Sequence, residues 1–286
     1  WRAPFVLVNV SRGLATPVTL ESDHNDVMAA RDSGFLQLHC ATCQDVLDAT
    51  LIAYRLAEDA RVLLPAMVCQ DAFVLSHTMM QTEVPDQETV DRFLPELDLP
   101  HRVEDRPVTV GGLDHPHETE AHRRQHAEAM GRVFAVHAEL QDAFEAEFGR
   151  RPADPVVPYR MEDAELAVVS MGTTAATARA AVDAARAQGH RVGSLRVRMF
   201  RPFPELALRH ALENCSRVAF LDRDISLGHG GVLWSEGRAA APPGCLVQNY
   251  VLGLGGGDIR PEHVGALIDG LATRSEAGEP QIVEVA

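Results

Sequence analysis

The sequence predicts an α/β fold made of two open, mostly parallel sheets. Short apolar, strand-like runs alternate with helical periodicities along most of the 286 residues. One of these runs, 62–68, is apolar at almost every position, as a strand covered on both faces is. A proline-rich stretch, Arg151-Pro152-Ala153-Asp154-Pro155-Val156-Val157-Pro158, interrupts the alternation near the middle of the chain. It is the best linker candidate, and it divides the sequence into domains 1–150 and 159–286.

The elements of the first unit follow in order. Residues 5–10 form a strand that runs into Ser11-Arg12-Gly13. A dense polar cluster from Ser22 to Asp26 opens a helix over 25–32, with Asp23 or Asn25 as its cap. Residues 35–39 are a strand, and 44–58 a helix with Val46, Leu47, Leu51 and Tyr54 at helical spacing. The strand at 62–68 and a short helix at 89–94 come next, and Pro85, Pro95 and Pro100 punctuate a loop-rich connector. One long, highly charged helix over 117–148 ends at Gly149 and bridges or flanks the domains.

The second unit begins with a strand at 166–170 and a helix at 173–188 marked by Gly172-Thr173. A strand at 192–199, a helix at 204–213 and strands at 218–221 and 246–251 continue the pattern, with a further helix starting at Val232. A helix over 261–273 carries proline in its first turn. This order implies parallel pairing with right-handed crossovers.

Composition narrows the function. Net charge is −15, which disfavours nucleic acid and anionic membrane surfaces as main partners. All 26 basic residues are arginine, so a Schiff-base lysine and a lysine-dependent phosphate loop are excluded. No run of 18 apolar residues predicts a transmembrane helix, and no signal peptide opens the chain. The first residue is Trp1 rather than Met, which suggests that an N-terminal portion precedes it. Five cysteines, Cys40, Cys43, Cys69, Cys215 and Cys245, are odd in number and scattered, as in a reduced cytoplasmic protein. The single C-x-x-C at Cys40 and Cys43 falls short of a four-thiolate cluster.

Eight segments in one order bear a likeness to a known family. They are 9–12 (Asn-Val-Ser-Arg), 23–31 (Asp-His-Asn-Asp-Val-Met-Ala-Ala-Arg), 44–48, 64–68, 71–78 (Asp-Ala-Phe-Val-Leu-Ser-His-Thr), 171–173, 201–204 (Arg-Pro-Phe-Pro) and 253–259. Together they resemble the alpha subunit of the pyruvate:ferredoxin oxidoreductase (2-oxoacid:acceptor oxidoreductase) family. The resemblance implies a partial thiamine-enzyme pyrimidine-type domain followed by a transketolase C-terminal-like domain. It also implies oxidative decarboxylation of pyruvate or a similar small 2-oxo acid. Electrons would go to ferredoxin or a similar acceptor, and the acyl group to coenzyme A. The sequence at 31–35 looks closer to the pyruvate branch than to the 2-oxoglutarate branch.

The same resemblance assigns roles residue by residue. Arg12 matches the arginine that holds the substrate carboxylate, a task suited to a guanidinium fork. Without the resemblance it reads as a structural arginine pairing with Asp23 or Asp26. Asp23, His24, Asp26 and Arg31 match an Asp-His-Ser-Asp…Arg block, with Asn25 in place of serine. Asp71 and His77 match an Asp-Gly-Phe…Ser-His block. These six are expected to shape the active-site wall or a subunit contact, and no residue of this chain is expected to break bonds. Ala72 stands where the family has glycine, a strained position if its φ is positive. Gly257 stands where the family usually has arginine.

Thiamine diphosphate and Mg are expected at the interface with a beta subunit, since the family's diphosphate motif belongs to that chain. The family's catalytic Glu would precede residue 1. Iron–sulfur clusters are expected in partner chains only, with gamma and ferredoxin-like chains or domains completing the complex. His122 and His126 share a helix face, but Arg123 stands where a zinc helix needs Glu, so no metal site is expected. Gly228-His229-Gly230-Gly231 reads as a plain turn rather than an anion cradle. Two alternatives stay open: an architectural or retuned subunit of such a complex, and a subunit of a lipoamide-linked 2-oxoacid dehydrogenase.

Overall fold

The computed structural model describes residues 2–14, 17–99 and 111–285; Pro100 lies outside them. In chain order the elements are β1 (Val6–Ser11), α1 (Asn25–Ala29), β2 (Leu36–His39), α2 (Cys43–Glu58), β3 (Ala66–Asp71), α3 (Gln87–Phe93) and α4 (Pro116–Phe148). They continue with β4 (Val156–Tyr159), β5 (Leu166–Ser170), α5 (Thr174–Ala187), β6 (Val192–Val197), β7 (Met199–Arg201) and α6 (Glu205–Leu212). The last are β8 (Arg217–Asp222), α7 (Val232–Gly237), β9 (Leu246–Leu252), α8 (Pro261–Thr273) and β10 (Gln281–Val283). Among the described residues, one sheet has the order β1-β3-β2-β7 and the other β10-β9-β8-β5-β6-β4. Only β7 and β4 run antiparallel, each at an edge.

Strand alternation assigns the cores. In β3, Val68 faces a core shared with α2 and α4, whereas Met67 and Cys69 face a second core. That second core also holds Ala167, Val169, Leu195, Val197, Val218 and Phe220 from the other sheet, so one apolar layer joins the two sheets. The opposite face of the larger sheet, through Val168, Ala219 and Leu221, packs on α5 and α8. Helix α4 buries only its C-terminal half, through Ala129, Val133, Val136, Leu140 and Phe144. It stops at Gly149, whose left-handed φ of 68° ends the helix. It therefore flanks the first sheet's core rather than bridging the sheets.

Several predicted elements shift for physical reasons. The run at 62–68 is buried, yet pairing starts only at Ala66, because Leu63 is left-handed (φ 46°) and Pro65 has no N–H to give. The helix at 25–32 closes at Ala29. Its N-cap is His24, with no side-chain cap. The end of the expected linker, from Val156 to Pro158, belongs to β4, an edge strand that accommodates Pro158. The predicted strand at 192–199 breaks at Arg198. Its N–H donates to the Pro155 carbonyl at 2.9 Å and its carbonyl accepts from His39 N–H at 2.6 Å. The chain then crosses to the first sheet as β7.

That crossing carries a buried ion cluster. Arg198 is fully buried, and its Nε donates to Asp45 Oδ1 at 2.9 Å. Arg196 donates to the other carboxylate oxygen, which also accepts the Ala41 N–H at 3.1 Å. Burial works to raise the Asp45 carboxyl, but the charges of Arg198 and Arg196 and their hydrogen bonds hold it down at about 2. A depressed carboxyl stabilises the fold above its ordinary value of about 4, and that contribution is lost as pH falls through about 2. Replacing Asp45→Ala leaves two arginines buried without their carboxylate, so urea denaturation at neutral pH should show a loss of about 3–5 kcal/mol. The gap from the native protein should narrow as pH falls from about 4 toward 2.

Candidate active site

The C-terminal ends of the parallel strands β1 and β3 open into a cavity of about 700 Å³. Such strand ends are where open α/β sheets hold ligands. Asn9, Val10, Arg12 and Gly13 line it from the end of β1, with Leu14, Val18 and Leu20 from the following loop. Asp26 borders it from α1, and Ala72, Phe73, Ser76 and His77 from the turn after β3. The walls are largely apolar and the polar groups few, the usual character of a small-molecule site.

Three of the sequence-predicted residues meet here: Arg12, Asp26 and His77. Asp26 is the organiser. Its Oδ2 accepts from Asn9 Nδ2 at 2.9 Å and from the Arg12 N–H at 3.2 Å, and its Oδ1 accepts the Val27 N–H at 2.7 Å. Burial pushes the Asp26 carboxyl up despite these three donors. Only the backbone of Arg12 touches Asp26. Its guanidinium is exposed and has no hydrogen bond or ion pair among the described residues, so the expected alternative pairing with Asp23 or Asp26 is not formed. His77 Nδ1 lies 2.8 Å from Ser76 Oγ, which accepts the Phe73 N–H at 3.0 Å. The His77 ring stacks on Phe73 with centroids 4.4 Å apart. Positive φ falls on Phe73 (57°) and not on Ala72, so the alanine carries no left-handed strain.

Asp71 and His24 lie behind this wall, both buried. His24 Nε2 is 2.8 Å from Asp71 Oδ1, while Asp71 Oδ2 accepts the Thr173 N–H at 2.9 Å and the Thr173 hydroxyl. Asp71 thus joins the first sheet to the start of α5. Gly172 makes this approach possible. Its φ is 56°, and a Cβ there would lie 2.8 Å from Asp71 Oδ1. Burial works to raise Asp71, but the charge and hydrogen bond of His24 and the Thr173 donors hold it far below the usual carboxylate range. Burial works to lower His24, yet the Asp71 charge and hydrogen bond, with the charge of Asp224, raise it. Asp224, buried and pushed up to about 6 mainly by burial, was not singled out in the sequence. Its role depends on a contact about 200 residues from His24, which local pattern does not reveal.

The other two predicted residues serve elsewhere. Asp23 accepts the N–H of Asn25 at 2.8 Å and the N–H of Gly255 at 2.8 Å, tying the loop to the glycine-rich turn after β9. Arg31 is not among the residues lining the cavity; it donates to the Met28 carbonyl at 3.0 Å and lies 3.4 Å from Glu236. The turn itself explains Gly257. A Cβ there would sit 2.8 Å from a Val285 methyl and 3.2 Å from the Gly253 Cα, so a larger residue would need Val285 to shift.

Among the described residues, no three His, Cys, Asp or Glu side chains converge to hold a metal. His122 Nδ1 pairs with Asp114 at 2.9 Å, and His126 packs on Gly34. All five cysteines are free, and Cys40 and Cys43 point to different carbonyls. The N–H groups at the start of α7 are already taken by Asp224, Asp222 and Asn249, so Gly228–Gly231 forms a turn that holds no outside anion. No helix among the described residues is long and apolar enough to cross a membrane.

Two mostly parallel sheets joined through one apolar layer, with a polar-tipped cavity at the strand ends, make the open α/β architecture expected from the sequence. Comparison with known proteins agrees. Residues 1–142 match the pyruvate flavodoxin/ferredoxin oxidoreductase, thiamine diphosphate-binding family, and 164–264 match pyruvate:ferredoxin oxidoreductase core domain II. Pyruvate synthase subunit PorA of Thermotoga maritima is 42% identical over 271 residues, covering 92% of this chain and 68% of that protein. The corresponding subunit of Methanothermobacter thermautotrophicus is 38% identical over 268 residues, 93% of this chain and 70% of that protein. Ketoisovalerate oxidoreductase subunit VorA of Pyrococcus abyssi is 34% identical over 285 residues, 97% and 71%. A solved 2-oxoglutarate:ferredoxin oxidoreductase from Magnetococcus marinus shares the fold, with a TM-score of 0.65 at 16% identity over 94% of this chain. This chain spans 49% of that solved chain's length. The chain belongs to the pyruvate:ferredoxin oxidoreductase family, and the lipoamide-linked alternative is not favoured.

The His24–Asp71 contact has a definite pH signature. A raised histidine stabilises the fold fully below its ordinary value of about 6.5, and that contribution is lost as pH rises through the folded-state value. His24→Gln should therefore differ most from the native protein near pH 6, and less as pH rises. Unfolding midpoints across that range measure it.

Proposed function

We propose that the chain works as the alpha subunit of a thiamine-diphosphate-dependent 2-oxoacid oxidoreductase that oxidatively decarboxylates pyruvate or a similar small 2-oxo acid. The observation that carries this reading is the uncommitted Arg12 guanidinium in the cavity at the strand ends. A 2-oxo acid offers a carboxylate next to its keto group, and a guanidinium can grip that carboxylate through two parallel hydrogen bonds. Asp26 would hold the Arg12 backbone in place, and the His77–Phe73 stack would close the opposite wall. Asp23, His24, Asp71 and Arg31 would fix the wall from behind and set the subunit contact.

The cavity's donor set suits the ring-facing side of thiamine diphosphate and not its diphosphate end. Its one buried-side carboxylate, Asp26, already has its oxygens engaged by Asn9, Arg12 and Val27. We therefore assign the diphosphate and Mg to a beta subunit, with iron–sulfur clusters in partner chains only. Bound there, the cofactor supplies the nucleophilic carbon and the electron sink for decarboxylation. Electrons would pass to ferredoxin or a similar acceptor through those chains, including gamma or ferredoxin-like ones, and the acyl group to coenzyme A.

The surface around the cavity supports a second chain. Leu14, Val18 and Leu20 are 57%, 71% and 54% exposed, beside the free edge of β1. Contiguous exposed apolar residues of this kind mark interaction sites. The free thiols suit a cytoplasmic setting. We divide the chain into domains 1–150 and 159–286, with β7 lent back to the first sheet. An architectural or retuned subunit remains the rival reading.

Arg12→Gln decides between them. Since the guanidinium supports no internal contact, the variant should fold and assemble normally. Turnover of pyruvate by the reconstituted complex should fall about a hundredfold in kcat/KM. Unchanged turnover with intact assembly would favour the architectural reading.

A further inference from the structure

A second cavity, of about 240 Å³, lies between the two sheets at the other side of the Asp45 cluster. It is bounded by the first turn of α2 (Thr42, Gln44), the first turn of α5 (Ala175, Ala176), Pro152 and Ala153. Three arginines, Arg151, Arg179 and Arg196, converge on it. We infer that this cavity binds a phosphate group, free or carried by a small phosphomonoester, gripped by Arg179 and Arg196 at the start of α2.

Four observations support the assignment. Arg179 has no hydrogen bond or ion pair among the described residues. Its guanidinium is merely steadied 5.3 Å from the centre of the Tyr159 ring, so its donors are free for a ligand. Arg196 is 7% exposed and lines the cavity, held in place by its bond to Asp45. The 16-residue helix α2 begins here, and its cap uses the Asp45 N–H, which donates to the Thr42 hydroxyl at 3.0 Å. The N–H groups of Cys43 and Gln44 have no acceptor among the described residues, and a helix start of this kind favours an oxyanion.

The cavity also contains two carboxylates, and their charge is spent inward. Asp45 is bound by Arg196 and Arg198, and Asp48 by Arg150 at 3.1 and 2.8 Å and by Gln44 at 2.9 Å. Arg151 is occupied by Asp142 and Glu145 and contributes field rather than contacts. What remains uncommitted toward the cavity is cationic. Its volume suits one tetrahedral oxyanion with a short tail, and Arg179 and Arg196 both line it.

The test is calorimetric titration of the assembled protein with inorganic phosphate and, separately, with glycerol 3-phosphate. Saturable binding is expected, with Kd on the order of 10⁻⁴ to 10⁻³ M. Tighter binding of the ester identifies a small phosphomonoester as the ligand, and equal binding identifies free phosphate. Arg179→Gln, at a half-buried position, should weaken binding roughly tenfold. Ala176→Glu, at an exposed position on the cavity rim, should abolish it through like charge. Arg12→Gln, in the other cavity, should leave it unchanged. The proposal fails if neither ligand saturates by about 20 mM, if both cavity variants bind like the native protein, or if Arg12→Gln removes binding.

Discussion

Asp71 is the constraint on which the site depends. It ends β3, sits fully inside the protein and accepts hydrogen bonds from His24 on one side and from Thr173 on the other. A buried carboxylate persists only when its acceptor positions are filled by good donors. Here the donors come from the polar loop before α1 and from the first turn of α5 in the larger sheet. One side chain therefore fixes the end of β3, the loop bearing Asp26, and the distance between the sheets. The cavity wall around Arg12 inherits its geometry from that fixed point, because Asp26 and Asn9 are placed by the strand and helix that Asp71 and His24 hold together.

The second seam uses the same chemistry with stronger cations. At Asp71 one carboxylate gathers a histidine and a threonine; at Asp45 one carboxylate gathers two arginines, Arg196 and Arg198. Both seams lie where the two sheets meet, and the Asp45 seam lies where the chain crosses between them, where backbone groups leave their ladders and need other partners. Arginine suits this place, since its planar fork bridges a carboxylate while the stem packs on apolar neighbours. A chain of net charge −15 without lysine thus concentrates much of its buried cation at the joints of the fold.

The sequence was most legible where one periodicity covers a whole element. Pro261–Thr273 was read to the residue, because proline opens the helix and the apolar stripe is continuous. Most parallel strands were found for the same reason. What stayed hidden was pairing at a distance. β4 looked like a linker because Pro155 and Pro158 are tolerated at a sheet edge, and β7 looked like the end of β6 because only tertiary bonds at Arg198 separate them. The site divided along the same line. Arg12, Asp26 and His77 line one cavity, whereas Arg31 lies beside Glu236 in a surface ion pair. Asp224, Thr173 and the arginines of the smaller cavity carry no local signature, since their significance depends on partners far along the chain.

The state of Arg12 bears on how the work is divided. A structural arginine is recognised by its internal partners, as Arg198 and Arg201 are by theirs. Arg12 has a backbone that is held firmly and a guanidinium that is held by nothing among the described residues. Ordering such a group on an incoming anion costs little reorganisation of the protein, because no internal salt bridge has to break first. Its neighbour Asp26 has its carboxylate occupied by three donors and offers little competition for the guanidinium. Under the proposed function, that combination would suit Arg12 to orienting a substrate anion.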